Sequence, residues 1–159
     1  MPMNRSILSR ILPLLLTIAC AVAIFMFSRQ SGMDSIRISN GLLRRLLAFW
    51  RDVPLTEITN AELRRYSRLI RKMAHFIIYF ALGFCSYWSA YSLLSRFRKT
   101  AAFSFCVLYA ASDELHQRYS IGRTGKIQDV FIDSTGAFLG ILLSSTIASL
   151  IQRIRGRTA

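Results

Sequence analysis

Residues Ile11 to Ser28 form an uninterrupted run of 18 without a single charge. A bilayer core about 30 Å thick takes about 20 helical residues to cross, so this run predicts a spanning helix once its flanks are counted. The rival reading is a cleaved signal peptide, because Arg5 and Arg10 supply a basic leader. Against it, the stretch is long for a signal core and no A-x-A site ends it. Thr17 also stands where a lipoprotein site ahead of Cys20 would want Leu. An uncleaved anchor is expected.

Three more apolar segments follow. Ala74–Leu94 is long enough to span and carries His75, Tyr79, Ser86, Tyr87 and Ser89. Ala101–Ser112 extends to a span of 101–117 only if Asp113, Glu114 and His116 sit at membrane depth or at an interface; a re-entrant segment is the alternative. Val130–Ile151 contains Asp133 and the close-packing spacing Gly136-x-x-x-Gly140. The expected architecture is therefore one all-α integral membrane domain over residues 1–159. Its four transmembrane helices lie at about 11–28, 74–94, 101–117 and 130–151, with an amphipathic interfacial connection over 29–73.

Composition agrees. The chain is 53% hydrophobic, yet 21 Lys and Arg face only 8 Asp and Glu, for a net charge of +13. A basic soluble protein would suggest nucleic acid, but here the cations edge apolar runs and no recognition motif accompanies them, so no nucleic-acid partner is expected. The apolar content excludes disorder. Cys20, Cys85 and Cys106 lie inside apolar stretches without paired spacing and read as packing residues.

Within the connection, Leu42, Leu43, Leu46, Leu47 and Trp50 recur at helical spacing, with Arg44, Arg45 and Arg51 on other faces. Thr59-Asn60-Ala61-Glu62 fits a capping box that opens a helix with Leu63, Tyr66, Leu69, Ile70 and Met73 on one face. Basic amphipathic helices of this kind lie against anionic headgroups; a solvated linker is the competing reading. With four spans, one side of the membrane receives Arg5, Arg10, Arg96, Arg98, Lys99, Arg153, Arg155 and Arg157 and no acid. That bias places both termini in the cytoplasm.

Four spans also bring four segment ends to one face: Ser28-Arg29-Gln30, Lys72 with His75, Asp113-Glu114 with His116-Gln117, and Asp129 with Asp133. Ionisable groups inside spans cost about 2.5–3.5 kcal/mol each on insertion scales, so they ordinarily face a partner or a cavity. Lys72, His75, Tyr79 and Gly83 share a helix face, as do Tyr109, Asp113, His116 and Gln117, and Asp129, Asp133, Gly136 and Gly140. Three polar stripes thus point inward from a common end, with glycines beyond them.

The chain resembles the VanZ-like membrane proteins. The resemblance rests on Phe27-Ser28-Arg29-Gln30-Ser31 with Ser35 and Ser39, and on Lys72-x-x-His75-Phe76-x-x-Tyr79-x-x-Leu82. It is clearest in Ser112-Asp113-Glu114-Leu115-His116-Gln117, Gly122-Arg123-x-Gly125 and Asp129-Val130-x-x-Asp133-x-x-Gly136-x-x-x-Gly140. The family commonly has Pro where Ile121 stands and often an amide where Asp133 stands. The resemblance implies a bacterial inner-membrane protein of the cell envelope, associated with tolerance to the glycopeptide teicoplanin, without implying a catalytic mechanism.

The expected binding set is Lys72, His75, Tyr79, Asp113, Glu114, His116, Gln117, Arg123, Asp129 and Asp133, forming an outer-face pocket for a lipid-linked or anionic cell-wall component. Membrane lipids are the other expected partner; the sequence fixes no oligomeric state. If the site is catalytic, His75, Glu114 and His116 are the candidates, with Lys72, Arg118, Arg123 and Lys126 holding a headgroup phosphate. A metal centre from His75, Glu114, His116, Asp129 and Asp133 is chemically consistent. It lacks compact ligand spacing, so no cofactor is expected. The structural alternative pairs Asp113 with Arg123, His75 with Glu114 and Gln117 with Asp133, as a polar network that only holds helices together. A proton-relaying transporter is a further reading, for which four short helices leave little room.

Overall fold

A computed structural model describes residues 7–29, 32–119 and 126–157. Over these the chain is all α-helical: α1 (Ile7–Ser28), α2 (Gly32–Arg51), α3 (Asn60–Leu93), α4 (Arg98–Arg118) and α5 (Ile127–Arg157), with a 3-10 turn at Leu55–Glu57. Among the described residues, three stretches are long and apolar enough to cross a membrane: Ile7–Ser28, Leu69–Leu93 and Ile127–Gly156. The third apolar segment of the sequence lies in α4. That helix is 21 residues long, about 32 Å at 1.5 Å per residue, but Arg98, Lys99, Asp113, Glu114 and Arg118 keep it out of this class by composition.

The contacts fix the helix directions. Along α3 and α5, Lys72 meets Asp129, His75 meets Asp133, Phe84 meets Ser144 and Tyr91 meets Gln152, so the two run parallel. Along α1 and α4, Ala21 meets Tyr109 and Ser28 meets Gln117, again parallel. Thr17 bonds Ser89, and Cys106 bonds Ser86, so the α1/α4 pair runs opposite to the α3/α5 pair. The C-terminal ends of α1 and α4 therefore meet the start of α5 and the middle of α3.

The tightest seam is α3 against α5. A Cβ on Gly140 would lie 2.1 Å from the Phe80 carbonyl oxygen, and one on Gly83 would lie 2.2 Å from that of Ala137. Gly136 is as crowded, against Phe76. The glycine spacing read in the sequence thus sets backbone against backbone. Within lipid no hydrophobic drive joins helices, so such close packing and interhelical hydrogen bonds replace it. The buried core is correspondingly small-residue: Ala110, Ala137 and Cys106 around Tyr79, Leu82 and Ile24, then Ala90, Ala102, Ala148, Tyr87 and Ile141 toward the other end. Large apolar side chains point outward instead, among them Leu15, Ile77, Leu108 and Phe131, each more than half exposed. An exposed apolar surface this extensive marks an interaction or membrane-facing surface, and together with the three long apolar helices it suggests a membrane protein.

The connection holds the two helical stretches read in the sequence, α2 and the start of α3. The helix opening near Thr59 does not stop before the second apolar segment: α3 runs unbroken for 34 residues, because no Pro or Gly stands between Asn60 and Gly83. The expected apolar faces also divide. Leu43 and Leu47 of α2 pack with Ile58, Leu63, Tyr66 and Ile70, while Leu42, Leu46, Phe49, Trp50, Leu69 and Met73 remain exposed. One side of the α2/α3 pair forms a small core and another offers aromatics and leucines outward.

Candidate functional site

Four helices deliver polar side chains to one end of the bundle. Ser28, the last residue of α1, is fully buried, and Asp133, one turn and a half into α5, is 1% exposed. Asp113, Glu114 and Gln117 are buried on the last turns of α4, and His75 is half-buried on α3. Helical periodicity explains the placement: Asp113 and Gln117 lie four apart and share one inward face, as do Asp129 and Asp133.

Gln117 Nε2 donates to Asp113 Oδ2 at 3.0 Å and to Ser28 Oγ at 3.3 Å, tying α4 to the end of α1. His75 Nδ1 lies 3.7 Å from Asp133 Oδ2, which is an electrostatic contact and too long for a hydrogen bond. Neither Asp133 oxygen, nor the Tyr79 hydroxyl, has a hydrogen-bond partner among the described residues, although both residues are buried. Tyr79 sits one turn beyond His75 and within electrostatic reach of Asp113 and Asp133. Ligand atoms of His75, Asp113 and Asp133 all lie within 4.8 Å of one another. Around this centre, Lys72 Nζ is 3.0 Å from Asp129 Oδ1, and the Lys126 backbone N–H donates to Glu114 Oε1.

A second feature adjoins the cluster. An apolar groove of about 550 Å³ separates α1 from α4 and is lined by Leu14, Ile18, Val22 and Phe25 on one side and Ala101 and Phe105 on the other, with Ser86 and Ser89 of α3 at its floor. Tyr109, which also lines it, donates its hydroxyl to the Ala21 carbonyl at 2.6 Å and closes the end nearest Asp113.

The chain matches the VanZ/LLP1 family model over residues 13–149. It belongs to the VanZ/LLP1 family. No curated protein and no solved structure matches it. The matched stretch of this VanZ/LLP1 chain contains the four helices that build the cluster and the groove: most of α1, all of α3 and α4, and most of α5.

Of the residues expected at the site, His75, Tyr79, Asp113, Gln117 and Asp133 form the centre, Glu114 borders it, and Lys72 and Asp129 pair at its rim. His116 stands apart: it is exposed on α4, its ring 5.3 Å from that of Phe25. Arg123, with Gly122 and Gly125, lies outside the described residues. Of the pairs that the structural alternative named, Asp113–Arg123 reaches outside the described residues, and the other two are replaced by different contacts. His75 meets Asp133 rather than Glu114, Gln117 meets Asp113 rather than Asp133, and Glu114 takes a backbone N–H. A hydrogen bond four residues along the same helix needs no register between helices, so Gln117 takes the acid on its own turn. Sequence reasoning placed Ser28 at the converging face but not in the site; a hydroxyl closing an 18-residue apolar run was the available signal. Nothing in the sequence marked the groove.

Proposed function

We propose that the protein is a multi-pass cell-envelope membrane protein that recognises a lipid-linked, anionic cell-wall component at the outer face and thereby contributes to glycopeptide tolerance. In this reading α1, α3 from Leu69, α4 and α5 all cross the bilayer, both termini are cytoplasmic, and α2 with the start of α3 lies along the outer interface. Support for α4 as a span comes from its antiparallel run beside α3, with Cys106 at Ser86 and Ala102 packed with Tyr87 and Ala90. Support for the interfacial collar comes from exposed Phe49 and Trp50 beside basic residues.

The observation that carries the function is the junction of groove and cluster. An apolar groove at membrane depth suits a hydrocarbon chain, and its Tyr109 end adjoins the acid–imidazole centre, so one amphiphile has neighbouring seats for tail and head. Exposed Arg118 and Lys126 beside the cluster, with Arg123 between glycines in the same connection, supply cations for phosphate or carboxylate.

Two experiments test this. Cysteine labelling near Arg98 and near Lys126 should report opposite sides of the membrane; labelling of both from outside removes the four-span topology. Expression in a teicoplanin-susceptible host should raise the tolerated concentration, and Arg123→Ala should abolish the gain at unchanged protein level. Inserted wild-type protein that leaves tolerance unaltered overturns the recognition reading.

A further inference from the structure

We infer that His75, Asp113 and Asp133 bind one divalent transition-metal ion, of the Zn²⁺ or Mn²⁺ class. This goes beyond the recognition reading and does not depend on it.

Charge is the first reason. The groups facing the centre are Ser28 from α1, Lys72, His75 and Tyr79 from α3, Tyr109, Asp113, Glu114 and Gln117 from α4, and Asp129 and Asp133 from α5. Lys72 is engaged by Asp129 and Glu114 by the Lys126 N–H. Two buried carboxylates, Asp113 and Asp133, then face a single imidazole. Buried carboxylates without adequate counter-charge are costly, and one dication offsets both.

Geometry is the second. In a tetrahedral shell with bonds of about 2.1 Å, neighbouring ligand atoms are roughly 3.4 Å apart. The His75–Asp133 separation of 3.7 Å is close to that edge and wrong for a hydrogen bond. The whole set is contained within 4.8 Å, so closing a tetrahedral shell draws its ligand atoms together by at most about 1.4 Å, within reach of side-chain rotation. Imidazole with carboxylates favours Zn²⁺ or Mn²⁺ over the all-oxygen shells of Ca²⁺ and Mg²⁺.

The surroundings are the third. Tyr79, 0% exposed, presents an unpartnered hydroxyl to the same centre, and both oxygens of Asp133 lack hydrogen-bond donors among the described residues. A metal satisfies Asp133 directly, and a metal-bound water would satisfy Tyr79. Gln117, bonded to Asp113 and Ser28, holds the Asp113 carboxylate in place as outer-shell partners do. Three protein ligands leave coordination positions open, and an open position accepts an oxygen from phosphate or carboxylate. An acid-rich face thereby becomes able to take an anion.

The test uses the full chain purified in detergent with a histidine-free tag, stripped with EDTA, and titrated with Mn²⁺, Co²⁺ and Zn²⁺. We expect one ion per chain and a higher Tm on loading. The Co²⁺ spectrum should lack a thiolate charge-transfer band, which separates this site from the neighbouring thiols of Cys20 and Cys85. His75→Ala and the isosteric Asp133→Asn should each weaken binding at least a hundredfold, and Gln117→Leu about 10- to 100-fold. Folded wild-type protein that takes up no ion overturns the inference, as does an ion that survives both ligand substitutions or shows a thiolate band. Because the wild-type titration decides this, failure of one variant to fold leaves the test intact. A chain that binds metal but confers no tolerance keeps this site and retires the recognition reading; tolerance without metal does the reverse.

Discussion

The α3/α5 seam and the α1/α4 seam are both parallel helix pairs in the same small bundle, yet they are built in opposite ways. Along α3/α5, Gly83, Gly136 and Gly140 remove side chains so that backbones touch, and polar contacts continue the seam from Lys72–Asp129 at one end to Tyr91–Gln152 at the other. Along α1/α4, Leu14, Ile18, Val22, Phe25 and Phe105 hold the helices apart around a groove of about 550 Å³, bridged by Tyr109 and by Gln117 on Ser28. Small residues make a joint; large apolar ones make a berth. The difference makes one pair a tight joint and leaves the other open as an apolar groove, with the acid–imidazole centre where the two meet.

The largest expected effect is at the closed seam. Gly140→Leu has no room against Phe80 and Phe84; overpacking of this kind costs about 3 kcal/mol, and the measurement is the fraction of protein recovered monodisperse with its Tm. A Gly140→Leu chain as stable as wild type would mean that the backbones separate freely and the contrast is false. Next comes the bridge of the open seam. Gln117→Ala leaves Asp113 and Ser28 without that donor, and an unsatisfied buried group costs about 1–3 kcal/mol; a thermal melt reads it. At the rim, Lys72→Met loses an ion pair whose side chains are 42% and 31% exposed, worth under about 1 kcal/mol at that accessibility. Val22→Trp is the sharpest of the four although its stability change is smallest, within about 0.5 kcal/mol for a position half exposed at the groove. It should eliminate tolerance and lipid uptake, measured as lipid retained on purification, while the melt stays put.

Much of this was legible in the sequence because helical periodicity states which residues share a face. Lys72, His75 and Tyr79, Asp113 and Gln117, and Asp129 and Asp133 declare three inward stripes, and the glycines on two of them announce close packing. What periodicity omits is the axial register and rotation of one helix against the next. His75 therefore reads equally well as a partner of Glu114 or Asp133, and His116 reads as inward although the helix turns it to Phe25. The unbroken α3 was hidden by a change of composition: Arg64, Arg65, Arg68, Arg71 and Lys72 look like a boundary to a hydropathy scale, but they are good helix formers. The groove was invisible because most of its lining residues are the same kinds of apolar side chain that stand exposed elsewhere on the bundle.

The unbroken α3 has a mechanical consequence. Its 34 residues make a rod of about 51 Å, roughly 20 Å longer than a bilayer core is thick. Leu63, gripped by Leu43 of α2 and by Ile58, and His75 ride on that rod about 18 Å apart with no hinge between them. One continuous helix thus holds the face that docks on α2 and the face that carries His75 toward Asp133 at a fixed distance and angle.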